Sequence, residues 1–361
     1  MELTTIADSA RVTAAWRHFW NHELYGNRPP VVTSVARPGQ AQVYAGHQRY
    51  YLAVTRQYDA FLDQIDRHLE TTDYLAEALP HFGPDHGPDQ YAAFFGGELR
   101  YSNDAPGTNW MTAFVGEEGW EAHVPLRCDE GSPVWQSVLE LSRRMAAHAD
   151  GRYLVGVCDL HSNMDALAAM RGPERLCMDL YDCPDLVEHA MADVRVTYQP
   201  VYDALYAAGG MTAETGSCGW IPFWSDGKFA TIQCDFMCML SPEMNRRYVL
   251  PALEEEAAFL DHCVLHFDGP GALVHLDDVL AIEAIDAVQW VPGAGQPPMH
   301  TWTDVLHRIQ AAGKAVQIYG VNAEQVKVLH RELKPNVTAY CVDCETREEA
   351  GELLAWLERN T

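Results

Sequence analysis

The 361-residue chain is 48% hydrophobic and carries 51 acidic against 25 basic residues, a formal charge of −26. That length can bury one large core or two ordinary ones, and that charge argues against nucleic acid and anionic membrane surfaces as main partners. Residues 1–10 contain no basic region leading into an apolar run, no apolar run approaches bilayer length, and the ten cysteines are scattered; a soluble, reduced, cytoplasmic chain is expected.

In chain order, the first strand candidate is "RPPVVTSVA" (28–36). The stretch 40–124 is irregular and rich in aromatics, Gly and Pro. It reads as an insertion, with "HFGPDHGPDQYAAFFGG" and "NDAPGTNW" as loops. "RYLVGVCDL" (152–160) is a second strand and "GMTAETGS" a weak third. From Phe229 the pattern becomes regular. "FATIQCDF" is a strand, and the next helix opens with Ser241 as cap, Pro242 in its first position and Glu243 in its first turn. "CVLHF" is a strand and "LVHLDDVLAI" a helix; "DAVQWVPG" is a strand and "TWTDVLHRIQAAG" a helix, capped by Thr301 or Thr303 and stopped by Gly313. "KAVQIYG" is followed by a helix capped by Asn322, and "NVTAYCV" by the closing helix. Strand–helix units in unbroken succession predict a parallel sheet with right-handed crossovers. With the earlier candidates they fit a (β/α)8 TIM barrel, one domain over 1–361, with an N-terminal helical or irregular extension and an insertion around 40–124. An open doubly wound sheet is the alternative, but no Gly-x-Gly-x-x-Gly follows an early strand.

Chemistry in such a barrel collects where strands end. Asp235, His266, Asp268, Trp290, Tyr319 and Cys341 fall at or near those ends, with Cys234 and Cys238 flanking Asp235. Residues two apart on a strand point the same way, so His266 and Asp268 can act together, as two metal ligands or as a base with its orienting carboxylate. The plainer reading is a hydrogen-bonded structural His and a turn Asp ahead of Gly269-Pro270-Gly271. Cys341 and Cys344 form one Cys-x-x-Cys, half a zinc site, or else Cys341 is a buried apolar thiol. Trp110, Trp220 and Trp290 lie in loops or at strand ends. They read either as a wall for a flat or cationic substrate, with Tyr319 beside them, or as core pieces. Walker loops and His-Glu-x-x-His are absent.

The pieces "DLHSNMDALAAMRGPERLCMDLYDCPDLVEHAM", "CDFMCMLSPEMNRRYVLPAL" and "LHFDGPGALVHLDDVLAIEAIDAVQWVPGAGQP", with the final strand–helix pair, resemble the uroporphyrinogen decarboxylase superfamily from about Arg152 onward. The resemblance implies a (β/α)8 barrel. The N-terminal "R-Q-A-G-R" of true uroporphyrinogen decarboxylases is missing, which turns the expectation to the superfamily's zinc-dependent methyltransferases. Those work with corrinoid proteins or thiol acceptors and place His-x-Cys after a late strand and another Cys after the last. Here the counterparts are His266-Phe267-Asp268 and Cys341, with Asp in place of the first Cys. An oxygen ligand changes the charge and softness of such a site. The resemblance thus implies Zn²⁺ on His266, Asp268 and Cys341, with Asp235 and His266 acting on a small-molecule substrate. A corrinoid protein is a possible partner, and a homodimer is compatible. The alternatives are a metal-assisted decarboxylase or lyase of a small acid, with His266 as proton donor, and a non-catalytic binding barrel.

Overall fold

The computed structural model describes residues 1–41, 46–101 and 109–361, and for 46–48 the backbone alone; of the loop expected over 103–110, positions 103–108 lie outside them, and Asn109 and Trp110 belong to a strand instead. A helix capped by Asp8, Ser9–Trp20, precedes β1 (Val31–Ala36). The front insertion supplies two helices, Gly46–Val54 and Tyr58–Thr71, then β2 (Thr72–Ala76), β3 (His81–Phe82) and a hairpin of β4 (Glu98–Tyr101) and β5 (Asn109–Thr112). Three short strands follow: β6 (Leu154–Val155), β7 (Ser217–Cys218) and β8 (Trp224–Ser225). The regular part comprises β9 (Phe229–Gln233), β10 (His262–Asp268), β11 (Ala287–Val291), β12 (Ala315–Val321) and β13 (Thr338–Val342), with helical segments between them.

The result is a mixed α/β fold around a parallel sheet. Its seven strands run in the order β2, β1, β13, β12, β11, β10, β9, and only the β2–β1 pair is antiparallel. β3 and β6 pair parallel in a separate small sheet, so among the described residues the hydrogen bonding forms no closed barrel. No helix among them is long and apolar enough to cross a membrane.

Strand alternation sorts the side chains into two environments. Leu265, Phe267, Val288, Trp290, Val316, Ile318 and Tyr340 enter the main core, which they share with the flanking helices. Val264, Ala287, Ala315 and Ala339 belong to a second core with Trp16 and Phe19 of the N-terminal helix and Phe223. Three alanines in one layer leave room for these large rings, so the helix plugs the end where the strands begin. One step further along, on the same face, come His266, Gln289, Gln317 and Cys341, which fill the next layer with polar groups. His266 is in register with Gln233 on one side and Gln289 on the other, and Gln289 with Gln317.

Local chemistry explains where the elements depart from expectation. Ser241 and Asn322 cap their helices as predicted, Asn322 in a reciprocal box with Gln325. The helix Thr303–Ala311 has no side-chain cap, because Trp302 stands at the cap position and the Thr301 hydroxyl donates to the Pro298 carbonyl. The strand "FATIQCDF" stops at Gln233. Beyond it the Asp165 carboxylate accepts the N–H groups of Asp235 (2.9 Å) and Phe236 (2.8 Å), and the chain turns into the 3₁₀ segment Asp235–Met239. The next helix widens into a π turn at Asn245–Val249. Pro251 follows, and its missing N–H and bulky ring exclude the normal bond to residue 247.

Candidate metal centre

Three elements bring carboxylates and imidazoles to one place. The end of β10 carries His266 and Asp268, the turn after β9 carries Asp235, and the segment after β6 carries Asp159, His161 and Asp165. Asp235, His266 and Asp268 each offer a ligand atom within 4.8 Å of the others, and so do His161, Asp165 and Asp235. The Oδ1 atoms of Asp235 and Asp268 are shut off from solvent and have no hydrogen-bond partner. A buried carboxylate oxygen without a donor is costly unless a cation meets it. Among the described residues no Arg or Lys pairs with Asp165, Asp235 or Asp268; only imidazoles face them.

His266 is held in a defined tautomer. Its Nδ1 lies 2.5 Å from Gln289 Oε1, so Nδ1 carries the proton and donates. Gln289 Nε2 donates in turn to Gln317 Oε1 (2.7 Å), and Gln317 Nε2 to Cys341 Sγ (3.2 Å). With Nδ1 engaged, the His266 Nε2 lone pair faces Asp235 Oδ1 at 4.0 Å. An outer acceptor on one imidazole nitrogen is the usual support for a metal-binding lone pair on the other.

The electrostatics are those of a site short of positive charge. Burial raises the Asp268 carboxyl, with Asp235 adding to the rise and His266 opposing it. Burial also pushes Asp165 up to about 6, reinforced by Asp235. Asp85, beside Asp159, rises to about 6 for the same two reasons, burial and a neighbouring carboxylate. Burial works against charge on His161, yet Asp159, Asp165 and Asp235 together raise it to about 10. Cys238, at the turn after Asp235, is raised by burial and by Asp235, Asp165 and Asp268. A cavity of about 870 Å³ adjoins this cluster and is lined by Asp85, Trp220, Gln289, Gln317, Tyr319 and Cys341 among others. The Trp220 ring stands edge-on to His266 with centroids 5.3 Å apart, and Gln289 touches both His266 and the cavity.

No protein-family model matches the chain, and no curated protein matches it. Among solved structures, a methyltransferase from Methanosarcina mazei aligns over 96% of this chain and 98% of its own, with a TM-score of 0.60 and 11% identity. The chain shares that protein's fold. At such identity the likeness concerns the course of the backbone alone.

The sequence-predicted residues divide accordingly. Asp235, His266 and Asp268 come together. Cys341 shares their face of the sheet but reaches His266 only through the two glutamines, and burial raises its thiol to about 12. Trp220 and Tyr319 line the cavity. Trp290 does not: it follows Gln289, so it points to the opposite face, where it is fully buried against Phe267 and Trp302. Trp110 lies on the exposed side of β5, opposite Arg100, and is not among the cavity residues. Sequence reasoning missed His161, Asp165, Gln289 and Gln317. The signals were a His and an Asp four apart at a helix start, and a Gln closing the strand "FATIQ" and standing third in "AVQWV" and "AVQIYGV".

Proposed function

We propose that the protein is a metal-dependent enzyme of the methyltransferase kind within the uroporphyrinogen decarboxylase superfamily, built on a (β/α)8 barrel. Three observations support the barrel. The first parallel strand, β1, pairs with the last, β13; β3 pairs parallel with β6; and Val157 N–H donates to Cys218 C=O (2.9 Å), tying the segment after β6 to β7. The fold likeness to a methyltransferase and the motifs after Arg152 support the reaction class.

The observation that carries the proposal is the meeting of Asp235, His266 and Asp268 with two carboxylate oxygens left unsatisfied. Their donors, one imidazole and two carboxylates, fit a divalent first-row ion, Zn²⁺ included, and Asp235 takes the place expected of Cys341. When bound, such an ion supplies Lewis-acid polarisation and eases deprotonation of a thiol or hydroxyl at neutral pH. The chain's own residues do the rest. Gln289 holds the His266 tautomer, and Trp220 walls the small-molecule substrate. Asp235, whose side chain is 44% exposed, is placed to accept or return a proton at the mouth. The methyl acceptor or donor is a thiol or a corrinoid carried by a partner protein.

The decisive measurement is metal content after saturation and gel filtration, with methylated amines, ethers and small acids then screened as substrates. His266→Ala is expected to lose a bound ion that the parent retains, and the parent, supplied with a thiol or a reduced corrinoid as methyl acceptor, is expected to demethylate a substrate without releasing CO₂. Equal metal content in the two proteins sinks the site; CO₂ release turns the reading to a decarboxylase. Cys341→Ser is expected to keep its metal to within about twofold, since Gln317 can donate to a hydroxyl as well as to sulfur. Loss of the ion in that variant would restore Cys341 as a ligand.

A further inference from the structure

We infer that the centre takes two divalent cations rather than one, with Asp235 bridging them. This rests on the site proposed above, which supplies the first position and shares Asp235 with the second. The second position is made by His161, Asp165 and Asp235. One ion cannot serve all five residues, because the ligand atoms fall into two separate sets, each within 4.8 Å, that have only Asp235 in common. A carboxylate has two oxygens and can serve both.

The His161 half repeats the construction of the His266 half. His161 Nε2 lies 2.9 Å from Asp159 Oδ2, so a carboxylate holds the outer nitrogen, the commonest support of a metal-bound imidazole. The inner nitrogen, Nδ1, faces Asp165 Oδ2 at 4.0 Å, the same separation as His266 Nε2 to Asp235 Oδ1. That is too long for a hydrogen bond. It is slightly wider than the roughly 3.4 Å between two ligands on a tetrahedral ion with bonds of about 2.0–2.1 Å, so a small inward shift closes each pair on an ion.

Lone-pair accounting leaves Asp165 one place for a metal. Its Oδ1 accepts from Phe236 N–H (2.8 Å) and the Cys234 thiol (3.7 Å), and its Oδ2 from Asp235 N–H (2.9 Å). The remaining lone pair belongs to Oδ2, the atom facing His161. Those same bonds make Asp165 rigid and fix the backbone of Asp235, so the bridging residue is positioned by a ligand of the second ion. A further polar group abuts the site: Gln233, only 2% exposed, lies with its amide 2.5 Å from His161 Nε2, and its Oε1 has no partner. Rotating that amide presents the oxygen to Nε2–H and adds a second outer acceptor. Asp159 Oδ1 is likewise buried without a partner.

The test is titration of the chelator-stripped full-length protein with Mn²⁺, counting bound ions and recording the electron paramagnetic resonance spectrum. Two ions per chain with spin coupling between them are expected. His161→Ala and His266→Ala should each hold one uncoupled ion, and Asp235→Ala should abolish coupling. His161→Gln, checked by circular dichroism, covers the case in which the alanine variant misfolds. A single ion that His266→Ala loses and His161→Ala keeps overturns the two-ion centre and leaves the proposed site standing. A single ion lost only with His161 overturns both, and so does a protein that binds none.

Discussion

Asp235→Asn is expected to leave the fold and melting behaviour nearly unchanged while lowering metal affinity and kcat/KM by about 10²-fold or more. The small structural cost follows from how Asp235 is held. Its backbone N–H, not its carboxylate, makes the bond to Asp165, and its side chain is 44% exposed. Asparagine keeps an oxygen of the same shape but offers no charge to a cation and cannot bridge as a carboxylate does. Metal content and thermal shift with added Mn²⁺ or Zn²⁺ check the first part before any substrate is known. Turnover checks the second once the screen finds one. An Asp235→Asn protein with the parent's metal affinity and the parent's turnover would make Asp235 a loop residue and remove the common member of both ligand sets.

How far the site could be read from the sequence depends on the range over which each residue acts. His266 and Asp268 were legible because period-two alternation places i and i+2 together within one strand. The alternating elements after Phe229 were legible for a similar reason: each helix and strand carries its own period and, at Ser241 and Asn322, its own cap. Asp165 was not, because its role is to take the N–H groups of residues about seventy positions later, and no local pattern announces that. Trp290 was misplaced by treating nearness to a strand end as enough. Its neighbour Gln289 occupies the cavity face, and adjacent strand residues cannot share it. The glutamines were visible but weak as signals, since one buried Gln in an apolar strand could pair with anything. Their meaning came from register, which sets Gln233, His266, Gln289 and Gln317 side by side on four strands. The stretch 40–124 stayed obscure, β3 being two residues long and too short for any period, whereas β6 was reached within "RYLVGVCDL" by its apolar run.

The other large effect is expected away from the metal ligands, at Glu77. This carboxylate is 1% exposed and closes the turn after β2. It accepts two bonds from Arg28 (2.7 and 2.9 Å), one from Arg11 (2.6 Å) and one from the Val31 N–H (2.9 Å). Its own N–H donates to the Val31 carbonyl and its C=O accepts from the Trp16 indole (3.2 Å), so it ties the plugging helix to the start of β1. Burial alone would raise its pKa, but Arg28, the Val31 N–H and Arg11 outweigh that and hold it below the usual glutamate range. Glu77→Ala leaves the buried Arg28 with only the exposed Glu358 carboxylate, 3.7 Å away, as a counter-charge and is expected to cost about 3–5 kcal/mol, read as a lowered urea midpoint. Arg11, 33% exposed, can turn to solvent, so Arg28→Met combined with Glu77→Leu should recover much of the loss. Because the folded-state pKa is depressed, the ion pair's contribution is complete above the unfolded glutamate value and fades as pH falls through the folded one. Glu77→Gln should therefore be less stable than the parent at pH 7, with the difference shrinking below about pH 4. A difference that stays constant across that range would mean the loss comes from packing rather than from the charge. The segment that follows Glu77 carries Leu79 and His81 into the cavity wall, so a loosened turn there is also expected to weaken substrate binding without altering metal content.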